Sequence, residues 1–202
     1  PYLVKDRAHM ARIEKDVFWS KLAPEAEKKG LKVIGVWENG YRHITNSKRP
    51  INSPADLQGI KLRVPEGKWR VKMFQTYGAN PSPMKFSEVF TALQTGVMDG
   101  QENPFTQIYS AKFQEVQKFI SLTGHVYTPA YVTVGAKKWE SLPADVRKIL
   151  EDTAKETQAF VFPSPGQAPG AARATFVTRN GQTVTVTGGN MVRQVGNQPP
   201  GA

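Results

Sequence analysis

The sequence predicts an α/β protein. Amphipathic helical periods alternate with short apolar, β-branched runs, and glycines and prolines sit where one period gives way to the other. No stretch of roughly 18 consecutive apolar residues is present, so no helical span of a bilayer is predicted. A chain of 202 residues suffices for one ordinary domain or two small lobes.

Arg7 to Lys29 reads as helix, with Met10, Ile13, Val17 and Leu22 on one face and Pro24 kinking it or starting a second helix. Gly30 stops it, and Leu31 to Trp37 follows as a buried strand. Ser53 to Gly59 is a miniature helix, with Ser53 as cap, Pro54 in the first turn and Gly59 at the end. Ile60 to Val64 is a strand that Pro65 halts, because proline cannot donate to a ladder. Trp69 to Tyr77 is helical, ended by Gly78.

Ser87 to Gly96 reads as a capped helix with Val89, Ala92 and Leu93 buried, followed by a short strand at Val97 to Gly100 that leads into a turn. Gln117 to His125 fits strand or helix equally well. Tyr131 to Gly135 is a strand, and Ser141 to Phe160 a long helix with Pro143 in its first turn. After Phe162 the composition turns to Gly, Pro, Thr and Asn. That stretch has three arginines, no lysine and no acid, and reads as an atypical, disordered tail in which only Thr183 to Thr187 alternates like a strand.

There is no cysteine, which removes disulfides, thiolate metal sites and a cysteine nucleophile. The net charge of +10 favours anionic partners, but it is spread along the body without a block of like charges.

Two strings stand out. One is Gly59-Ile60-Lys61-Leu62-Arg63-Val64-Pro65. The other runs from Phe86-Ser87-Glu88-Val89-Phe90 through Thr91-Ala92-Leu93-Gln94-Thr95-Gly96 to Val97-Met98-Asp99-Gly100-Gln101-Glu102-Asn103-Pro104. With Gly78-Ala79-Asn80-Pro81 and Phe113 to Lys118, they resemble the solute-binding proteins of TRAP (tripartite ATP-independent periplasmic) transporters of the dicarboxylate and sialic-acid type. The resemblance runs from about Arg7 to Phe160.

It implies a two-lobed periplasmic binding-protein fold, truncated at its N-terminus. Residues 1–39 and 129–162 would belong to the first lobe, 40–128 to the second, and 163–202 to the atypical tail. The first lobe would lack core strands. A frame-shifted or incompletely assembled gene is one source for such a tail.

The resemblance also implies function: reversible capture of a small organic acid in the periplasm, hinge closure over it, and delivery to TRAP membrane subunits. The protein is expected to be a monomer and not an enzyme, with neither metal nor cofactor. Arg63 would grip the carboxylate, since a guanidinium matches its two oxygens with parallel hydrogen bonds. Asn103 would face Arg63 as an amide partner, able to donate and accept. Arg42 would supply a second arginine. Its loop is one residue longer than in the sialic-acid type, which argues against that ligand. Phe86 would pack on the ligand's carbon skeleton or act as a hydrophobic staple ahead of Ser87.

Two other classes are alternatives. The basic-aromatic run Lys61, Arg63, Lys68, Trp69, Arg70, Lys72 fits a nucleic-acid-binding module. A small hydrolase is disfavoured, because His9, His43 and His125 have no metal-ligand spacing and no nucleophile elbow is present. The acids Asp99 and Glu102 flank a glycine and read as turn or capping groups.

Overall fold

The computed structural model describes residues 1–161 together with the backbone of Arg173–Val177 and Thr183–Thr187. Five strands form one sheet: β1 (Leu31–Asn46), β2 (Lys61–Val64), β3 (Asn80–Pro83), β4 (Gly100–Pro104) and β5 (Phe119–Gly135), in the order β3-β2-β4-β1-β5. β2 pairs parallel with both β3 and β4, and β4 pairs antiparallel with β1. Two compact units share the long strands β1 and β5. One contains Tyr41–Val126 together with Arg173–Val177 and Thr183–Thr187; the other contains Tyr2–Gly40 and residues 127–161.

In the Tyr41–Val126 unit the sheet carries apolar clusters made with three helices: α3 (Lys68–Thr76), α4 (Val89–Gln94) and α5 (Phe105–Ser110). Ile44, Leu62, Val64 and Phe74 build one cluster, and Val89, Leu93, Ile108 and Phe113 another. Full burial of each such side chain is worth about 1.5–3 kcal/mol.

The other unit holds the helical stretch α1 (Arg7–Ile13), a π-helical segment (Glu14–Leu22) and α2 (Ala23–Glu27), then α6 (Ala136–Ser141) and α7 (Ala144–Val161). Ile34, Trp139 and Ala154 form its core cluster. Gly35 lets β1 and α7 meet, because a Cβ there would stand 3.2 Å from the Ala154 Cβ. Trp37 Nε1 donates to the Ala154 carbonyl at 3.1 Å.

Several elements differ from the sequence expectation. The first helix widens to π-helical turns, so that the Ala23 amide donates to the carbonyl of Phe18, five residues back. The widening rotates the face. Met10 and Phe18 are buried, whereas Val17 and Leu22 are exposed.

Ser87 does not cap a helix. A 3₁₀ turn at Phe86–Glu88 precedes α4, and neither has a side-chain cap. Val97 to Asp99 is not a strand; the strand is Gly100–Pro104 itself, pinned between β2 and β1. Phe119 to Gly135 is one continuous strand rather than an ambiguous segment followed by a separate strand. The expected long helix is α7, which starts at Ala144 just after Pro143, and a separate short helix, α6, precedes it.

Thr183–Thr187 is a strand, β7, and pairs antiparallel with β6 (Arg173–Val177). The expectation of disorder for the rest of 163–202 falls outside the described residues.

Candidate functional site

The site is built on β4. Gly100 opens this strand because nothing larger fits: a Cβ there would lie 2.4 Å from the Thr45 carbonyl oxygen and 2.7 Å from the Asn46 Cβ. Asp99, just before it, accepts from the Lys61 amide at 2.9 Å and so fastens β4 to β2. Asp99 thus tethers two strands, where the sequence suggested a turn or capping group. With these fixtures in place, Gly100 to Pro104 are all buried.

Register assigns the side chains to faces. Arg63 lies beside Gln101, and Asn103 lies opposite His43. Alternation along a strand puts Gln101 and Asn103 on one side, so Arg63, Asn103 and His43 share a sheet face. The side chains agree, since Asn103 Nδ2 donates to Gln101 Oε1 at 2.6 Å and Gln101 Nε2 donates to Thr45 Oγ1 at 2.9 Å. Arg42 Nη2 donates to Asn103 Oδ1 at 3.0 Å. The Asn103 amide is therefore oriented, with one N–H and one lone pair still unused.

Arg63 is only 3% exposed, yet among the described residues no carboxylate pairs with it. Its Nε and Nη2 both donate to one backbone carbonyl, that of Met84, at 2.9 and 2.5 Å. Burial pushes its pKa below the ordinary value; Glu102 offsets part of this and Arg42 adds to it. A guanidinium in this position stays charged, and a buried charge without a counter-ion is costly.

Glu102 points to the opposite face, beside Ile44. It is 0% exposed and is the hub of an ion network. Arg42 grips it with two bonds, Nε to Oε2 at 2.5 Å and Nη2 to Oε1 at 3.0 Å. Arg70 Nη1 reaches Oε2 at 3.1 Å, and the His125 Nε2 lies 2.9 Å from Oε2. Burial alone would raise the Glu102 pKa, but the His125 hydrogen bond and the Arg42 and Arg70 charges outweigh it and hold it below the carboxylate range. One carboxylate thus balances two guanidinium groups, while Arg63 is left over. The local excess is positive.

Of the residues expected from sequence, Arg63 and Asn103 share a face on adjacent strands. Arg42 touches Asn103, but two of its nitrogens are committed to protein acceptors. Phe86 is 44% exposed, with its ring 5.6 Å from that of Phe113.

Glu102 is not the turn group the sequence suggested, because it sits inside a strand instead of a turn. Sequence reasoning also missed Arg70, His125 and His43. The only signal available was the helical spacing of Arg70 and Phe74, which places both on the side of α3 that faces the buried cluster. The basic-aromatic run does not form one surface. Arg63 is buried and Arg70 is bound to Glu102, whereas Trp69 is 71% exposed with Lys68 over its ring. Among the described residues no group of three His, Asp or Glu side chains is placed to hold a metal. No helix among them is long and apolar enough to cross a membrane.

The family model for bacterial extracellular solute-binding protein, family 7 (DctP) matches residues 1–187. The 2,3-diketo-L-gulonate-binding periplasmic protein YiaO of Escherichia coli is 42% identical over 156 residues, covering 77% of this chain and 48% of that protein. A TRAP periplasmic solute-binding protein from Polaromonas sp. JS666, solved bound to D-erythronate, superposes with a TM-score of 0.75 at 41% identity, covering 79% of this chain and 52% of that one. The sugar acid-binding protein DctPAm of Advenella mimigardefordensis, solved with galactonate, gives 0.75 at 38% identity, covering 79% and 51%. The chain thus spans about half the length of the relatives it matches. On its sequence and its fold alike, the chain belongs to the family 7 bacterial extracellular solute-binding proteins of TRAP transport.

Proposed function

We propose that this chain carries the anion-gripping half of a periplasmic solute-binding protein that captures a small organic acid by its carboxylate. One observation carries the reading: Arg63 is a buried guanidinium with no carboxylate of its own, on the same sheet face as the part-used amide of Asn103. A ligand carboxylate would supply the missing counter-charge with two parallel hydrogen bonds. Arg42 holds the Asn103 amide in position and keeps Nη1 for the ligand, and the half-exposed Phe86 ring offers apolar contact to its carbon skeleton.

The chemistry is reversible binding rather than catalysis. Relatives solved with D-erythronate and galactonate support a hydroxylated or sugar acid as the ligand class. Residence in the periplasm, a monomeric state and hand-over to TRAP membrane subunits belong to this proposal, with the family match and a relative named as a periplasmic binding protein in support of the compartment.

Calorimetric titration of the chain with galactonate, succinate and malate tests it. Saturable binding of at least one acid is expected. Absence of any binding at millimolar acid would contradict the proposal.

A further inference from the structure

His43 shares the sheet face of Arg63 and Asn103 and has no part in the site as described above. It is 2% exposed and lies opposite Asn103 in the β1–β4 ladder. Its Nδ1 accepts from the Gly124 amide at 3.1 Å. A backbone N–H can only donate, so Nδ1 carries no proton and the neutral ring bears its hydrogen on Nε2. The ring is steadied by Phe105, with centroids 4.5 Å apart. Among the described residues no group accepts from Nε2. Nε2 is not one of the fully enclosed, unpartnered side-chain atoms, so its N–H is open to solvent or to a ligand at the edge of the site.

β4 lies between β1 and β2, so His43 stands two strands away from Arg63, roughly 10 Å across the sheet. A small acid held at Arg63 and lying along this face reaches His43 with its carbon chain, not with its carboxylate. A neutral N–H there suits an uncharged oxygen. We propose that His43 donates its Nε2 hydrogen to a hydroxyl oxygen of the bound acid, and so selects hydroxylated acids over unsubstituted ones. This rests on the reading of Arg63 and Asn103 as the carboxylate site. Burial, and the neighbouring His125, lower the His43 pKa to about 4, which keeps the ring neutral at ordinary pH.

Malate and succinate differ by a single hydroxyl and make the matched pair for calorimetry, with galactonate as a third probe. The chain is expected to favour malate over succinate by about 10-fold. His43→Phe, which keeps an aromatic ring but no donor, should erase that preference; His43→Gln, which restores an N–H, should keep most of it. Where galactonate alone binds, His43→Phe should weaken it about 10-fold and His43→Gln only slightly. A preference or affinity that survives His43→Phe overturns the proposal.

The unaltered protein gives an independent reading that does not depend on a variant folding. In the ¹⁵N-histidine-labelled chain, the His43 Nε2–H resonance should shift on adding malate or galactonate, and a static resonance at saturation contradicts the idea. Arg63→Ala separates the two readings. If it abolishes acid binding while His43→Phe leaves selectivity intact, only the role of His43 falls. If Arg63→Ala leaves binding unchanged, or none of the acids binds the unaltered chain, the carboxylate site falls and this inference with it.

Discussion

Arg42 and Glu102 form a two-point ion pair shut away from water, with Nε to Oε2 at 2.5 Å and Nη2 to Oε1 at 3.0 Å. The same arginine holds the Asn103 amide oxygen. Removing one partner from a buried pair is far more damaging than removing both, because a lone charge remains in a dry place. Glu102→Gln should therefore destabilise the protein by about 3–5 kcal/mol, as Arg42 and Arg70 lose their counter-charge. Urea denaturation followed by fluorescence measures this. A loss below about 1 kcal/mol would mean that the network is hydrated and the cluster is not a structural hub.

Acid should unfold the protein earlier than its surface carboxylates alone would require. Burial, then the nearby His125, bring His43 from 6.5 to about 4 in the folded state. Between those values the unfolded chain binds more protons than the folded one, so falling pH favours unfolding. The contribution is complete above pH 6.5 and disappears as the pH drops towards about 4, amounting to roughly 3 kcal/mol at most. Glu102, whose pKa is also depressed, acts in the same direction at lower pH. Thermal melting across this range should show Tm falling steadily in the unaltered chain and a flatter profile in His43→Phe. Identical slopes in the two proteins would remove His43 from the explanation.

Gly100 should tolerate no side chain. A methyl group there would meet the Thr45 carbonyl oxygen at 2.4 Å, whereas one on Gly135 meets nothing within 4 Å. Gly100→Ala should cost about 1–3 kcal/mol and disturb the β4–β1 pairing, while Gly135→Ala should be close to neutral. Denaturation midpoints for the two variants give the comparison. Equal midpoints would show that β4 can shift away from β1 without penalty.

How far the site was legible in the sequence depends on what each residue's role requires. Arg63 and Asn103 stand out through the strings that carry the family resemblance, because spacing alone makes a strand-end arginine or an Asn-Pro pair an ordinary surface or turn feature. Gly30, Gly59, Gly78 and Gly96 could be read as stops; each adopts positive φ in the structure. Glu102 could not be read. Its role depends on Arg42, Arg70 and His125, which are 60, 32 and 23 residues away, brought together by the β1–β4 pairing, by α3 and by β5. Local turn chemistry around Asp99-Gly100 pointed instead to a bend. His43 was passed over for the same reason, because its tautomer is set by the Gly124 amide, 81 residues on. The π-helical turns at Glu14–Leu22 defeated a fixed 3.6-residue period, which cannot register one extra residue per turn.

The most direct measurement is the affinity of Arg63→Ala for an acid that the unaltered chain binds, determined by calorimetry alongside Arg63→Lys. Truncating a buried guanidinium that grips a carboxylate costs about 2–5 kcal/mol, so Kd should rise roughly 30-fold or more, with Arg63→Lys recovering only part of the loss because an ammonium cannot make the two-point fork. An unchanged Kd in a folded Arg63→Ala protein would mean that the buried, unpaired guanidinium is not where the anion sits.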